Sequence, residues 1–174
     1  MSPSWTRKRR RRIFLILATI VLDFTSSLLR LPIHNWRSAT DKRDISLYFG
    51  VNQTAVFGNY MEAIRCVRNI CAHGSVLYDA RMYQLIKSGP AGKVTSDESY
   101  SLGGAIKVIS FLIGRISSNR QHDLIIELNK AYMTLKNKGA LLQQVVETAT
   151  HMTWDLASIS QLQTIKWREN KGIL

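Results

Sequence analysis

Cysteine is scarce in this sequence, with two residues among 174. Cys66 and Cys71 are five positions apart on a predicted helix, so they point about 140° away from each other and cannot form a disulfide. They also form no metal-binding pattern with the four scattered histidines. Unpaired thiols are typical of a reducing cytoplasm. We therefore expect a cytoplasmic protein without a metal ion or other cofactor, in which Cys71 is a small core residue.

Acidic residues are also in short supply, since 12 Asp and Glu stand against 24 Lys and Arg and give a net charge of +12. Six of the basic residues are consecutive, at positions 7–12, and without them 18 basic residues still exceed the 12 acidic ones. A basic surplus favours a polyanionic partner, because neutralising phosphates releases counterions. RNA is the partner we expect, and an anionic membrane is the alternative.

No apolar run is long enough to span a membrane. The longest, Ile13 to Leu22, stops after ten residues at Asp23, whereas a transmembrane helix needs about 20. A charged segment before an apolar run is typical of a secretory signal, but no clear small-x-small cleavage site follows. We favour a buried first helix that ends at Pro32, and a membrane partner is not expected. A signal peptide and an interfacial anchor over residues 7–22 are the alternatives.

The sequence shows no convincing strand, no repeat of 20–50 residues and no glycine-rich phosphate loop. Apolar residues instead recur at helical spacing. The sequence thus predicts an all-α bundle of about five to six helices, with a basic disordered arm at 1–12, a single helical domain at 13–160 and a polar tail at 161–174. The expected helices cover residues 13–31, 40–49, 52–73, 95–116, 119–138 and 142–156, with a short helical turn at 80–87.

Local signals place several of these boundaries. Thr40 is a candidate N-cap and Gly50 a candidate stop for the second helix. Thr95 and Glu98 have the spacing of a capping box and predict the start of a helix. The Gly103-Gly104 pair inside that helix either weakens it or permits close helix contact.

The stretch from Arg68 to Asp79 carries the candidate chemistry. RNA supplies its own nucleophile, the 2′-hydroxyl, so cleavage needs a proton acceptor, a proton donor and positive charge on the phosphate, but no metal. His73 is a candidate base or acid, Arg68 a candidate phosphate ligand, and Asn69 a candidate for orienting either group. We expect the RNA itself to contact Arg65, Tyr78 and Arg81, although Arg65 can also pair with Glu62.

The spacing of Arg68 and His73 does not place them on one face of a helix, because positions 68 and 73 are about 140° apart on an ideal helix. Two arrangements would reconcile them: a frayed last turn at His73, or a two-fold dimer in which each phosphate is held by groups from both chains. We expect a homodimer with composite sites.

The motif stretch resembles the signature of the Abi-like abortive-infection family (the AbiD/AbiF type), which reads Arg-Asn-x-Cys-Ala-His-His-x-Arg-Leu-Trp-Asn. Residues 44–50 and 106–113 are similar to the segments that flank the motif in that family, so the resemblance spans roughly residues 40–135. The positions that match the signature are Arg68, Asn69, Cys71, Ala72, His73 and Leu77.

The resemblance implies a HEPN-like helical bundle, and many HEPN domains are dimeric, metal-independent endoribonucleases with an Arg-x₄₋₆-His motif. Arg68 and His73 then become the catalytic pair and Asn69 the polar residue after the arginine. The implied role is a phage-defence or toxin–antitoxin nuclease, with an antitoxin or small RNA as a further partner.

Two positions depart from the family pattern. Gly74 stands where a second histidine is usual, and Val76 where an arginine is usual. Losing that cation is expected to lower activity or to mark a degenerate copy. The family usually has more sequence before the motif, so a truncated member is a further reading. The alternative function is accordingly a non-catalytic HEPN-like module that binds RNA or a partner protein.

Overall fold

The computed structural model describes residues 39–73, 75–77 and 79–152. Every named element within these ranges is helical, which confirms the all-α prediction for this part of the chain. The predicted first helix, the basic arm and the polar tail lie outside the described residues. The elements in chain order are α1 (Ala39–Tyr48), α2 (Thr54–Ala72), a 3₁₀ helix (Glu98–Tyr100), α3 (Leu102–Ile116), α4 (Ser118–Lys136) and α5 (Ala140–Thr150).

The centre of the fold is α3. All its residues from Leu102 to Ile113 are buried except Lys107, as expected for a helix that is apolar on every side. It packs against α2 on one side and α4 on another, and α4 in turn contacts α5. None of the helices in the described ranges combines the length and the apolar composition needed to cross a membrane.

The apolar face of α2 lies in this core as the spacing predicts. Tyr60 is fully buried and packs edge to face on Phe111 of α3, with ring centroids 6.4 Å apart. Phe57 stacks on Phe49 at 5.5 Å and so joins α2 to the end of α1. The residues predicted for this face are all buried: Val56, Tyr60, Ile64, Val67 and Cys71.

Helix α1 ends at a left-handed glycine, as its sequence predicts. Gly50 has φ +73°, and its N–H donates to the Leu47 carbonyl at 2.8 Å. The start of α1 differs by one position from the prediction, since α1 begins at Ala39 and Thr40 is inside it. Arg115 of α3 donates from Nε to the Phe49 carbonyl at 3.2 Å and so ties the two helix ends together.

The helical turn predicted for residues 80–87 is wrong, because this segment is irregular. Its backbone N–H groups bond outward: Met82 donates to the Tyr100 carbonyl and Ile86 to the Ser99 carbonyl, both at 2.8 Å. Asn59 of α2 also holds the segment, donating from Nδ2 to the Leu85 carbonyl at 2.8 Å. Tertiary hydrogen bonds therefore replace the local i→i−4 bonds that a helix would need.

The capping box at Thr95 and Glu98 is present, but the helix that it was predicted to start is not continuous. The Glu98 N–H donates to Thr95 Oγ1 at 3.4 Å, and the Thr95 N–H donates to Glu98 Oε2 at 3.1 Å. Only the short 3₁₀ helix follows, because Ser101 is extended (φ −105°, ψ 169°). Helix α3 begins at Leu102, seven residues after the predicted start.

The glycine pair near the start of α3 permits close contact. A Cβ on Gly103 would lie 2.8 Å from the carbonyl oxygens of Thr150 and His151 at the end of α5. A Cβ on Gly104 would lie 2.3 Å from the Glu98 carbonyl oxygen. Of the two expectations for this pair, close packing against neighbouring backbone is the one that the structure confirms.

The last described helix is shorter than predicted and its apolar residues face solvent. Helix α5 ends at Thr150, because His151 is left-handed with φ 47°. Leu142 and Val145, predicted for its buried face, are 40% and 51% exposed. Only Met152, just beyond the helix, is buried as expected. Leu156 lies outside the described residues.

The buried ion pair between Glu98 and Lys107 fixes the 3₁₀ helix to α3. Lys107 Nζ donates to both carboxylate oxygens, at 2.7 and 2.8 Å. Burial raises the pKa of Glu98, but the hydrogen bonds from Lys107 and Thr95 outweigh burial and leave the pKa below its usual value. The pair therefore stabilises the fold above the unfolded-state pKa of about 4.3, and this contribution is lost as pH falls through the lower folded pKa.

We expect Glu98→Gln to lower the free energy of unfolding at pH 7 by about 2 kcal/mol, because a charge-assisted hydrogen bond is lost in a buried position. The loss should shrink as pH falls below 4. Urea unfolding at a series of pH values measures both effects. The matched control is Glu127→Gln, which removes an exposed pair with Lys130 (2.6 Å) and should cost less than about 0.5 kcal/mol. Equal losses in the two variants would contradict the prediction.

Candidate functional site

The candidate catalytic residues lie on the last turns of α2, outside its buried face. Arg68 and Asn69 are half-buried, and His73 is exposed. His73 is the C-cap residue of α2, and its backbone N–H still donates to the Asn69 carbonyl at 3.0 Å. The last turn is thus not frayed at His73, and the helical offset between Arg68 and His73 is retained within one chain.

The three motif side chains have free polar ends. Among the described residues, no hydrogen bond or ion pair engages the Arg68 guanidinium, the Asn69 amide or the His73 imidazole. A half-buried guanidinium without an anionic partner is suited to bind phosphate, since its fork of donors matches the oxygens. The structure brings Asn69 and His73 onto one side of α2, four residues apart, and leaves Arg68 at the border of the buried face.

The described residues predicted to bind RNA, Arg65 and Arg81, lie on different segments of the chain. Arg65 is exposed on α2, and its guanidinium is engaged by Glu62, with Nε 2.8 Å from Oε2 and a second contact from Nη2 to Oε1. This confirms the expected i, i+3 pair. Hydrogen bonding to Arg65, the main cause, lowers the pKa of Glu62, so the carboxylate competes with phosphate for this cation. Arg81 is exposed in the irregular segment after the motif, and Tyr78 lies outside the described residues.

Cys71, although it belongs to the motif, is part of the core. It is 6% exposed, and Cys66 is 1% exposed, which confirms the expectation that Cys71 is a packing residue. Burial raises the pKa of the Cys71 thiol to about 11 and also raises that of Cys66. Both thiols are therefore protonated at neutral pH and are poor nucleophiles.

We expect neither thiol of the folded protein to react with an aromatic disulfide reagent at pH 7.5, and both to react after denaturation. Burial and protonation both slow the attack. The number of thiols that react, read by absorbance with and without denaturant, tests this. One thiol reacting within seconds in the folded protein would contradict the buried position of the motif cysteine.

A cleft of about 800 Å³ lies beside the end of the motif. Asp79 and Arg81 line it from the chain that follows the motif, Asp97 and Tyr100 from around the 3₁₀ helix, and His151 from the end of α5. Sequence reasoning identified only Arg81 of these five as a functional residue. The 3₁₀ helix and the end of α5 are far from the motif in the sequence, and no sequence pattern predicts that they line the same cleft.

The charges of the described residues are nearly balanced, with 13 Lys and Arg against 9 Asp and Glu and a net charge of +4. The remaining residues carry 11 basic against 3 acidic side chains, which makes up the other +8. Most of the basic surplus thus lies outside the described part of the chain. Within that part, no group of three or more His, Cys, Asp or Glu side chains is arranged to hold a metal ion.

The family model described as Abi-like protein matches residues 8–79. The matched span contains the whole motif and extends further towards the N-terminus than the resemblance recognised in the sequence, but it stops before α3. Comparisons with curated proteins and with solved structures give no significant match. Residues 8–79, which include Arg68, Asn69 and His73, are thus similar to the Abi-like family.

Proposed function

We propose that this protein is a metal-independent endoribonuclease of the HEPN type that acts in abortive infection. The similarity of residues 8–79 to the Abi-like family suggests the abortive-infection function. The observation that carries the proposed activity is that the polar ends of Arg68, Asn69 and His73, on the last turns of α2, have no partner within the described part of the chain. A cation, an amide and an imidazole are the groups that cleavage through the 2′-hydroxyl requires.

In this reaction His73 takes the proton from the 2′-hydroxyl, whose oxygen attacks the adjacent phosphorus. The bond from phosphorus to the 5′-oxygen breaks, and a protonated group delivers the proton that this oxygen needs. Arg68 stabilises the charge on the non-bridging oxygens. The products are a 2′,3′-cyclic phosphate and a 5′-hydroxyl.

The retained offset of Arg68 and His73 on α2 supports a site completed by two copies of the chain. A two-fold axis beside α2 would bring Arg68 of one copy towards the phosphate held by His73 of the other. Each dimer would then contain two equivalent sites, each with groups from both chains.

The test is cleavage of a mixed RNA substrate with EDTA present, followed by analysis of the product ends. The proposal predicts cleavage that EDTA does not reduce, with 2′,3′-cyclic phosphate ends. Products with 3′-hydroxyl ends, or cleavage that stops on chelation, would contradict it.

A second candidate is a non-catalytic module that binds RNA or a partner protein. Val76 favours it, because this apolar side chain is 54% exposed where the family pattern has an arginine. The module would bind RNA with a strong dependence on salt and leave it uncut. If RNA is uncut, Val76→Arg tests this candidate: cleavage that appears in the variant would identify the chain as a degenerate nuclease.

A further inference from the structure

The open cleft beside the motif is large enough to hold a ligand. Its volume of about 800 Å³ falls in the range of sites that hold small molecules. It has one wall from residues 79–81 and 96–101 and another from α5. Only Asp79 of its lining residues falls within the Abi-like match, so the cleft is formed by the part of this chain that follows the matched span.

Several polar side chains of the lining have no partner within the described part of the chain. The side chains of Asp79, Arg81, Tyr100 and Gln144 make no hydrogen bond or ion pair among the described residues. Asp97 has only a long hydrogen bond from Ser96 Oγ, at 3.4 Å. The cleft thus offers unpaired acceptors and an unpaired guanidinium around the exposed ring of Tyr100, which is 43% accessible.

The charges in the cleft argue against a phosphate and in favour of an uncharged base. Two carboxylates, from Asp79 and Asp97, outnumber the one guanidinium, from Arg81, in a lining that also contains His151. They would repel a phosphate. Carboxylates accept hydrogen bonds from amino and imino groups, guanidinium groups donate to ring nitrogen and carbonyl oxygen, and aromatic rings stack on bases.

Guanine presents a pair of adjacent donors and a pair of adjacent acceptors to these groups. Its N1–H and N2 amino group present two adjacent donors to one carboxylate, and its O6 and N7 present two adjacent acceptors to a guanidinium. Uracil has a single donor, N3–H, and no amino group, so it leaves one of the two carboxylate oxygens unpaired. Leaving such groups without partners reduces affinity strongly.

We propose that this cleft binds a guanine base of single-stranded RNA, with Tyr100 stacking on the base, Asp97 or Asp79 accepting from its N1–H and amino group, and Arg81 donating to O6 and N7. The proposal rests on the proposed function, because Asp79 ends the motif stretch, Arg81 lies two residues beyond it, and both would read a base near the scissile phosphate. The cleft would then set which RNA sequences are cut.

The test measures binding without cleavage, using the full-length His73→Ala variant and two labelled RNAs, r(UUUGUU) and r(UUUUUU), at one salt concentration. We expect the guanine-containing RNA to bind at least about tenfold more tightly. Adding Tyr100→Ala, or Asp79→Asn together with Asp97→Asn, should remove the difference. The matched controls on α1, Tyr48→Ala and Asp44→Asn, change exposed residues outside the cleft and should retain it. Circular dichroism verifies that each variant is folded.

Equal affinity for the two RNAs, or a preference that survives both cleft variants, would overturn the proposal. Free 5′-GMP that competes as well as the guanine-containing RNA would also overturn it, since the cleft would then be a site for free nucleotide. A guanine preference in a protein that cuts no RNA would refute the nuclease function alone. Cleavage without any guanine preference would refute the base site alone.

Discussion

Replacing His73 or Arg68 by alanine is expected to reduce RNA cleavage by at least about 100-fold in each case. His73→Ala removes the group that transfers the proton, for which losses of about 10²–10⁴ are typical. Arg68→Ala removes the charge on the phosphate oxygens, and losing one such group costs about 10²–10³. Initial rates on a labelled RNA, with EDTA present, measure both effects.

Neither side chain belongs to the buried core, so both variants should retain the thermal stability of the unchanged protein. His122→Ala on α4 and Arg43→Ala on α1 are matched controls, because they remove an exposed histidine and an exposed arginine away from the motif. These controls should cut RNA at the original rate. Undiminished cleavage by both motif variants would end the nuclease proposal.

Replacing Gly104 by alanine is expected to destabilise the fold strongly, although it adds only one methyl group. The added Cβ would lie 2.3 Å from the Glu98 carbonyl oxygen and 3.3 Å from Ile86 Cδ1. The oxygen belongs to the backbone of the 3₁₀ helix, so it cannot rotate away and the helix itself must shift. We expect the free energy of unfolding to fall by about 3 kcal/mol, the upper part of the usual cost of overpacking.

Gly58→Ala is the control for this change, because Gly58 is also helical but exposed, with no atom within 4 Å of the added Cβ. That substitution should stabilise the protein by about 0.5–1 kcal/mol through the helix propensity of alanine. Urea unfolding of the two variants, compared with the unchanged protein, should therefore give shifts of opposite sign. A stabilised Gly104→Ala variant would show that α3 does not approach the 3₁₀ helix as described.

The helices could be predicted from the sequence wherever a local pattern decides the structure. The apolar spacing from Val56 to Cys71 and the glycine at position 50 each specify their element without help from distant residues. The predictions were wrong where contacts with residues distant in the sequence determine the local structure. Residues 80–87 are irregular because Asn59 and the 3₁₀ helix take their hydrogen bonds, and Ser101 separates a correct capping box from α3.

The candidate site could be predicted in part for the same reason. Arg68, Asn69 and His73 follow one another on α2, so a short motif identifies them. Tyr100 and His151 line the same cleft because the end of α5 lies against Gly103 at the start of α3, and such contacts leave no periodic signal in the sequence. The ion pair between Arg65 and Glu62 could be predicted from their i, i+3 spacing. That Arg68 has no partner among the described residues could be seen only in the folded structure.

A mixing experiment tests the composite nuclease site most directly. Arg68→Ala and His73→Ala proteins, each inactive alone, are combined and allowed to exchange subunits, and RNA cleavage is then measured. In a mixed dimer, one site receives Arg68 and His73 from different chains and is intact, so random exchange should restore about a quarter of the original activity. No recovery in a mixture shown to contain mixed dimers, while the unchanged protein cuts RNA, would contradict the shared site.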